Sequence, residues 1–504
     1  MAHCPCLDST AGNRLTWYQS LLKLELLEII ALAVLAAVLC VGSAQANPDE
    51  PIDLRTSLRE MITPSYTLED AISLASQNYP AIKAAHERAL AEKGGTSLAK
   101  TEYLPRINFM IQESRATTNN IPTVLFPQTT IPVITHPEAG GTRFKGFWLD
   151  NFGTLFDWEP FDFGLRPANV KLAQTRFSEA TARTELTRFD ACLSAADAYL
   201  IALAAKETVL AFQAKLRRME AFSLVVHALV DAGLKPGVDA SRADAEVAQA
   251  KVEVIESQRL SDLSLIHLAE TLGIETMQVQ IKSDGLTSGI PPPEIFVQPD
   301  FNKHPLIILS NSAINTVQSR IHVLDKTYYP RFFLLAAIDG RGFGGQHFGQ
   351  PIGGGILPQV ANWAVGLRIS FEAMDIFAIK AKRRIEVHNR QAERANLQLN
   401  LLNLREKEAN ARVMIERARQ VAANTPLFVE AAKETEMRSK ERYKVGLNTI
   451  VDVTESERLL AKAQVDNAVA QVGVWRGELA QAAALGDLKP FVNLVTRAEV
   501  INKK

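Results

Sequence analysis

The feature that most constrains the fold of this 504-residue chain is an internal repeat. A motif at Tyr103-Leu104-Pro105-Arg106 recurs at a shift of 225 residues, as Tyr328-Tyr329-Pro330-Arg331. Further along, the shift becomes 213 and stays there, so the first copy carries 12 extra residues. A constant shift predicts two copies of one structural unit. The motifs at the shift of 213 are Gly233-Leu234 with Gly446-Leu447, Val238-Asp239 with Val451-Asp452, and Leu272-Gly273 with Leu485-Gly486.

Each copy contains a stretch that predicts an exceptionally long helix. Residues 165–232 contain one proline, Pro167, near the start, where a helix tolerates it. An unbroken helix of this length would measure about 100 Å, and the second copy repeats the length from Ala378 to Val445. Apolar residues in the first stretch alternate spacings of three and four, as in a coiled coil: Leu186, Phe189, Leu193, Ala196, Leu200 and Leu203.

Glycine-containing turns interrupt both helical stretches. The first turn is Gly233-Leu234-Lys235-Pro236-Gly237, and the second is Gly446-Leu447-Asn448-Thr449. A shorter helical stretch follows each turn and leads toward Leu272 in the first copy. Both copies are therefore predicted to contain a helical hairpin.

Four segments of about ten residues read as strands, which is the length that crosses a membrane in a β-barrel. In the last one Trp363, Val365 and Leu367 share one side, with Arg368 on the other, the alternation of a lipid-facing strand. A soluble half-buried sheet gives the same alternation and stays open as an alternative. Four strands are too few for a barrel, so the chain must oligomerise to close one. The segments are Pro105–Ser114, Phe147–Trp158, Arg331–Gly340 and Asn362–Glu372, with exposed loops predicted at Thr117–Lys145 and Gly340–Gly355.

The N-terminus has the pattern of a secretory signal peptide. Ile29 to Val41 is an apolar run too short to span a bilayer, and Ala44-Gln45-Ala46 forms a cleavage site after it. A buried core helix is the alternative interpretation. Cleavage after Ala46 would leave Cys192 as the one cysteine of the mature chain, which excludes an intrachain disulfide and a multi-cysteine metal site.

Composition and motifs indicate no catalytic chemistry. A net charge of -1 gives no basic footprint for nucleic acid. Gly340, Gly342 and Gly345 fit a G-x-G-x-x-G pattern, but no helical periodicity follows, as a dinucleotide site requires. The nine histidines show no metal-ligand spacing. We therefore predict no enzyme activity, no cofactor and no metal site.

Several segments resemble the outer membrane efflux proteins of the TolC type, over roughly residues 66–490. The resemblance implies a homotrimer with a twelve-stranded barrel and a periplasmic helical tunnel. It also implies a periplasmic adaptor and an inner-membrane transporter as partners, and outer membrane lipid as surroundings. The segments that carry it are Asn78-Tyr79-Pro80, Tyr103-Leu104-Pro105, Trp158 to Gly164, and above all Tyr443 to Val453.

The resemblance also implies roles for residues at the hairpin tips. Tyr443, Asp452 and Glu455 match residues that close the periplasmic entrance, whereas Asn448 replaces a basic residue and so removes a charged latch. Tyr443 as a core aromatic, and the two acids as a solvated helix face, are the alternatives. The predicted adaptor-docking tips, which could also be simple helix ends, are Ala232, Gly233, Leu234, Val445, Gly446 and Leu447.

The sequence thus predicts an α+β fold, mainly long coiled-coil hairpins with four transmembrane strands per chain. The predicted function is the outer membrane channel of a tripartite efflux or type I secretion system, in the outer membrane and extending into the periplasm. A periplasmic coiled-coil scaffold or adaptor without a pore is the alternative. The predicted divisions are a signal peptide (1–46), a linker (47–65), the first repeat (66–289), the second repeat (290–490) and a C-terminal tail (491–504).

Overall fold

The structure is a computed structural model. The predicted signal peptide and the loop at 117–145 lie outside the residues that it describes, which are 65–116, 147–275, 278–282, 285–287, 289–292, 300–343, 357–358 and 360–502.

The described residues form mainly α-helices, with two small sheets. The order of helix, strand, strand, long helix and shorter helix occurs twice, from α2 to α4 and from α5 to α7. In chain order the elements are β1 (Ser65–Tyr66), α1 (Leu68–Asn78), α2 (Pro80–Thr101), β2 (Arg106–Ala116), β3 (Phe147–Phe161), α3 (Leu165–Asp231), α4 (Gly237–Leu272), β4 (Gln280–Ile281), α5 (Pro305–Thr327), β5 (Arg331–Phe343), β6 (Val360–Ser370), α6 (Asp375–Lys444), α7 (Ile450–Leu485) and α8 (Lys489–Asn502).

The two long helices agree with the sequence prediction to within a few residues. Helix α3 has 67 residues and α6 has 70, so each is about 100 Å long. The predicted seam of α3 is buried at Ala196, Leu200 and Leu203. Helix α3 packs along α4, α6 packs along α7, and α3 contacts α7, so the hairpins of the two repeats lie side by side.

A buried ion pair fixes the junction between the sheet and α3. The Asp162 carboxylate accepts hydrogen bonds from the backbone N–H and the Nε of Arg166, at 2.6 and 2.8 Å. Burial opposes ionisation of Asp162, but the hydrogen bonds from Arg166 outweigh it and hold the pKa of Asp162 below its usual value. This pair links the end of β3 to the first turn of α3.

The larger sheet has the antiparallel order β2-β3-β5-β6, and one of its faces is apolar and exposed. The strand register pairs Ile111 with Phe152 and Ile338 with Trp363, so apolar side chains from neighbouring strands lie side by side on this face. Trp363 is 79% exposed, which is unusual for a tryptophan. The two edge strands, β2 and β6, have no further strand partner within the described chain.

The opposite face of the same sheet carries charged and polar side chains together with apolar ones such as Phe333. Arg368 lies 3.7 Å from Asp157, and Asn362 donates a hydrogen bond to Asp339. The predicted assignment of Arg368 to the polar side therefore agrees with the register. Apolar and polar residues alternate most clearly along β6, whereas β5 has an unbroken apolar run from Phe332 to Ile338.

One part of the sequence prediction needs correction, and the structure adds a helix in the predicted C-terminal tail. The glycine-rich loop was predicted to begin at Gly340, but β5 continues through Phe343, and Gly340 and Gly342 lie in this strand rather than at the start of a helix. The C-terminal tail, predicted from residue 491, is helical from Lys489 to Asn502. Phe491, Leu494 and Val495 are buried in the main core, because α8 packs its apolar face there.

That core lies halfway along the helical hairpins, where both repeats meet. Tyr199 of α3 and Trp475 of α7 are both fully buried in it, and the Trp475 Nε1–H donates to the carbonyl of Leu286 at 2.8 Å. Strand β1 pairs with β4 in parallel beside this core. Among the described residues, no helix combines the length and the apolar character that crossing a membrane requires.

Candidate functional site

The tips of the two hairpins are closed by the same turn. In the first repeat the N–H of Gly233 donates to Val230 and that of Leu234 to Leu229; in the second, Gly446 donates to Tyr443 and Leu447 to Arg442. This pattern is the Schellman motif, which places a residue of positive φ after the helix. Gly233 has φ 71° and Gly446 has φ 79°, a conformation that glycine adopts without strain.

Apolar side chains at these tips point into solvent. Leu234 is 69% exposed and Leu447 is 68% exposed, although a Schellman turn usually covers the residue at this position. Val445 is 70% exposed, and Ala232 is also exposed. Both tips therefore present small and apolar residues at one end of the molecule.

Tyr443, by contrast, is fully buried, between the two hairpins. Its hydroxyl donates a hydrogen bond of 2.8 Å to Oδ2 of Asp239, which is in the first turn of α4. Its ring packs edge-on against Phe222, and the Lys235 ammonium lies 4.3 Å from the ring centre. Burial and the hydrogen bond to Asp239 both raise the pKa of Tyr443, so the phenol keeps its proton and acts as a donor.

Asp452 lies on α7 and caps the start of its own helix. Its carboxylate accepts from the backbone N–H and the hydroxyl of Thr449, both at 2.8 Å, which completes a capping box. These hydrogen bonds lower the pKa of Asp452. The side chain stays exposed and ionised, so it combines a structural role with a negative charge at the tip.

Glu455 lies one turn further along α7, and it is also exposed. Its carboxylate accepts two hydrogen bonds from Arg458, at 2.6 and 2.8 Å, which lower the pKa of Glu455. The adjacent guanidinium offsets part of its charge. The two predicted gate acids therefore lie at the same end of α7. Arg458 partly offsets the charge of Glu455, whereas Asp452 has no positively charged neighbour within hydrogen-bonding distance among the described residues.

Asn448 lies in the turn itself. Its side-chain oxygen accepts a hydrogen bond of 3.0 Å from the Nε of Arg442. Arg442 thus places a positive charge beside the position where the family resemblance had led us to expect one. The structure brings Tyr443 to the interface between the repeats, whereas Asn448, Asp452 and Glu455 remain at the solvent-exposed end.

A buried ionic cluster near the tip escaped the sequence prediction. Glu457 of α7 is fully buried and accepts from Arg218 of α3 at 2.9 Å and from Lys440 of α6 at 2.6 Å. Lys440 also pairs with Glu436. Burial raises the pKa of Glu436; it also opposes ionisation of Glu457, whose pKa is nevertheless lowered by the hydrogen bond and charge of Lys440 and by Arg218.

The first repeat contains a more exposed polar cluster at the equivalent positions. At the shift of 213, the positions of Glu436, Lys440 and Glu457 correspond to Ser223, His227 and Asp244. Asp244 accepts from the Ser223 hydroxyl at 3.1 Å, and the His227 Nε2 lies 2.9 Å from the same carboxylate oxygen. The constant repeat shift was the signal that could have revealed both clusters from sequence.

The described residues combine long helical hairpins with a four-stranded sheet that has one exposed apolar face. Residues 71–274 match the family model described as outer membrane efflux protein. No curated protein matches the sequence. Together, the family match and the fold confirm the resemblance to the TolC-like efflux proteins.

Solved structures of outer membrane channels share this fold. The channel OprN superposes with a TM-score of 0.66 at 18% identity, covering 88% of this chain and 98% of that one. The protein VceC of Vibrio cholerae gives 0.65 at 18% identity, with 83% and 96% covered. The channel CmeC of Campylobacter jejuni gives 0.67 at 14% identity, with 91% and 93% covered.

These similarities confirm the coarse functional prediction. The matching family is one of outer membrane efflux proteins, which agrees with the predicted location in the cell outer membrane. It is a family of channels rather than of enzymes, which agrees with the predicted lack of catalysis.

Proposed function

We propose that this chain is one subunit of a homotrimeric channel through which an inner-membrane transporter and a periplasmic adaptor pass substrates out of the cell. The observation that carries the proposal is the four-stranded sheet, with an exposed apolar face, joined at one end to helical hairpins about 100 Å long. Such a molecule suits a protein that is surrounded by lipid at one end and by water along the rest.

The open edges of the sheet support a trimer. The strands β2 and β6 expose unpaired backbone groups at the two edges, and such groups are costly in lipid. Pairing β6 of one copy with β2 of the next removes both edges in a closed ring. Three copies would supply twelve strands, which lies within the size range of closed membrane barrels.

The tips would carry two further functions. The buried contact between Tyr443 and Asp239 would hold the hairpins together in a closed entrance, and the carboxylates of Asp452 and Glu455 would line it. The exposed turns at Gly233 and Gly446 would receive the adaptor, because small residues let another helical hairpin approach closely.

Reconstitution tests this proposal against a scaffold without a pore. The detergent-extracted protein should migrate as an oligomer that dissociates only on heating, and it should form conducting pores in planar lipid bilayers. A proline in β6, such as Val365→Pro, should abolish the oligomer because it disrupts strand pairing. A monomer that never conducts would favour the periplasmic scaffold instead.

A further inference from the structure

A cleft lined by four arginines lies in the helical region close to the sheet. It has a volume of about 460 Å³ and is formed by α2, α3 and α5. Arg176 lies 11 residues after the first residue of α3, which places it about 17 Å from the helix start. The arginines are Arg88, Arg176, Arg183 and Arg320.

These guanidinium groups have few partners in the chain. Glu92 and Glu179 also line the cleft, but four positive charges against two negative ones leave an excess of two. Within the described residues, no ion pair joins either glutamate to these arginines. Arg320 also forms an ion pair with Glu386 at 3.9 Å, without a hydrogen bond, so Glu386 offsets part of its charge.

Gathering like charges in one cleft costs free energy unless an anion offsets them. Arginine presents a planar fork of donors that suits the oxygens of phosphate and carboxylate groups. Three helices supply these forks, so they converge from different directions on one volume. Small residues, Ala85, Ala91 and Ala180, leave the space between them open.

The neighbouring helix α6, which packs against α5, is also rich in basic side chains. Residues 379–394, near the start of α6, include six basic and two acidic side chains. Two of the six already have partners on α5, since Arg383 pairs with Asp325 and Arg390 donates to Gln318. The basic side chains are Lys380, Lys382, Arg383, Arg384, Arg390 and Arg394.

We infer that this cleft binds a compact anion carrying two or more negative charges on phosphate or carboxylate groups. Helices α2, α3 and α5 together supply its lining. Anion binding itself does not depend on the channel function.

Calorimetric titration of the full-length, detergent-purified protein tests this inference at low ionic strength. Sodium pyrophosphate and sodium citrate, in separate titrations, distinguish phosphate from carboxylate recognition. We expect saturable binding of at least one of them, and we expect Arg176→Gln with Arg183→Gln to weaken it roughly tenfold or more. The charge-matched control is Arg217→Gln with Arg405→Gln, which changes exposed arginines elsewhere on the long helices and should bind like the wild type.

A third variant, Arg176→Lys with Arg183→Lys, keeps the charge but loses the forked geometry. It should fold normally and bind with intermediate affinity. The inference is overturned if neither anion binds, if the control weakens binding as much as the cleft variant, or if the lysine variant binds like the wild type. Calorimetry needs no conducting pore, so failure here leaves the channel proposal standing, and loss of conductance leaves the cleft standing.

Discussion

Asp239 and Asp452 occupy equivalent positions in the two repeats, 213 residues apart, yet their carboxylates have different partners. Asp239 accepts a hydrogen bond from Tyr443 of the other hairpin, whereas Asp452 caps its own helix through Thr449. Position 236 is proline in the first repeat, where the second has Thr449, so no capping hydroxyl competes for Asp239. The duplication thus produced one aspartate that joins the hairpins and one that remains at the exposed end.

The first prediction concerns this junction. Replacing Tyr443 by phenylalanine removes the hydroxyl that donates a hydrogen bond to the Asp239 carboxylate. Loss of this hydrogen bond should destabilise the closed state of the tip by about 1.5–3 kcal/mol. In planar bilayers, the variant should open at least roughly tenfold more often than the wild type.

Two companion variants check that interpretation. Asp239→Asn should open the pore to a similar extent, and the double variant Tyr443→Phe with Asp239→Asn should add little, since both remove one interaction. Full additivity of the two effects would show that the contact does not hold the entrance.

The second prediction concerns ion selectivity. Asp452 and Glu455 should make the channel prefer cations and allow divalent ions to block it from the periplasmic side. Because Asp452 also caps α7, Asp452→Asn is preferable to alanine, since asparagine still caps a helix. The reversal potential in a salt gradient should move toward zero in Asp452→Asn with Glu455→Gln.

Here the paired arginine provides a useful comparison. Arg458→Gln should increase cation preference, because it frees the full charge of Glu455. If none of these variants shifts the reversal potential, the two acids are a solvated helix face, and the selectivity filter lies elsewhere.

The third prediction concerns the buried ionic cluster. Glu457→Gln leaves Arg218 and Lys440 facing one another without their shared carboxylate, which should reduce the free energy of unfolding by roughly 3 kcal/mol or more. Glu436→Gln should cost much less, because burial already disfavours its ionised form. Thermal unfolding of both variants at pH 7 makes the comparison, and equal losses would contradict the assignment.

Glu457 and Glu436 also determine how the stability of the protein depends on pH. The folded-state pKa of Glu457 lies below its unfolded value of about 4.3, so its contribution is present above that pH and lost as the pH falls through the folded pKa. Glu436 has the opposite sign, since its raised pKa gives a contribution that is lost as the pH rises through it. Between pH 5 and pH 3, the unfolding temperature of Glu457→Gln should therefore fall less steeply than that of the wild type.

The fourth prediction concerns adaptor docking. Gly446→Trp should abolish export, but it also forces a bulky residue into a positive φ, so lost folding would give the same result. Leu447→Glu avoids this difficulty, because the side chain is exposed and the backbone is ordinary. Export should be lost while the unfolding temperature and pore conductance stay as in the wild type.

Lys444→Glu is the matched control at the same tip. It changes the charge more than Leu447→Glu does, and it leaves every apolar side chain in place. Its export should stay close to normal. Export that survives Leu447→Glu would place adaptor docking elsewhere on the hairpins.

Periodicity in the sequence was sufficient to predict the long helices and the alternating faces of β6. Helix α3 begins at the predicted Leu165, because a coiled-coil seam and the lack of interior proline are local signals. The contacts of Tyr443 were not predictable in this way. Its partner Asp239 is 204 residues distant, and their meeting depends on how one hairpin is rotated against the other.

The arginine cleft was not predictable for the same reason, because it depends on contacts between distant parts of the chain. Arg88, Arg176 and Arg320 belong to three helices far apart in sequence, and none has a distinctive motif. Glycine content misled the prediction at Gly340, where the strand continues because Gly342 leaves room for the Asp150 side chain across the sheet. A glycine there allows close approach rather than a turn.

The unpaired edges of β2 and β6 have a genetic consequence. If three copies must close one ring, a subunit that folds its hairpins but cannot pair through β6 would still offer β2 to a normal neighbour and stop the ring there. Co-expression of such an allele with the normal gene should therefore leave few complete channels. The mutation would be dominant-negative rather than a simple loss-of-function mutation.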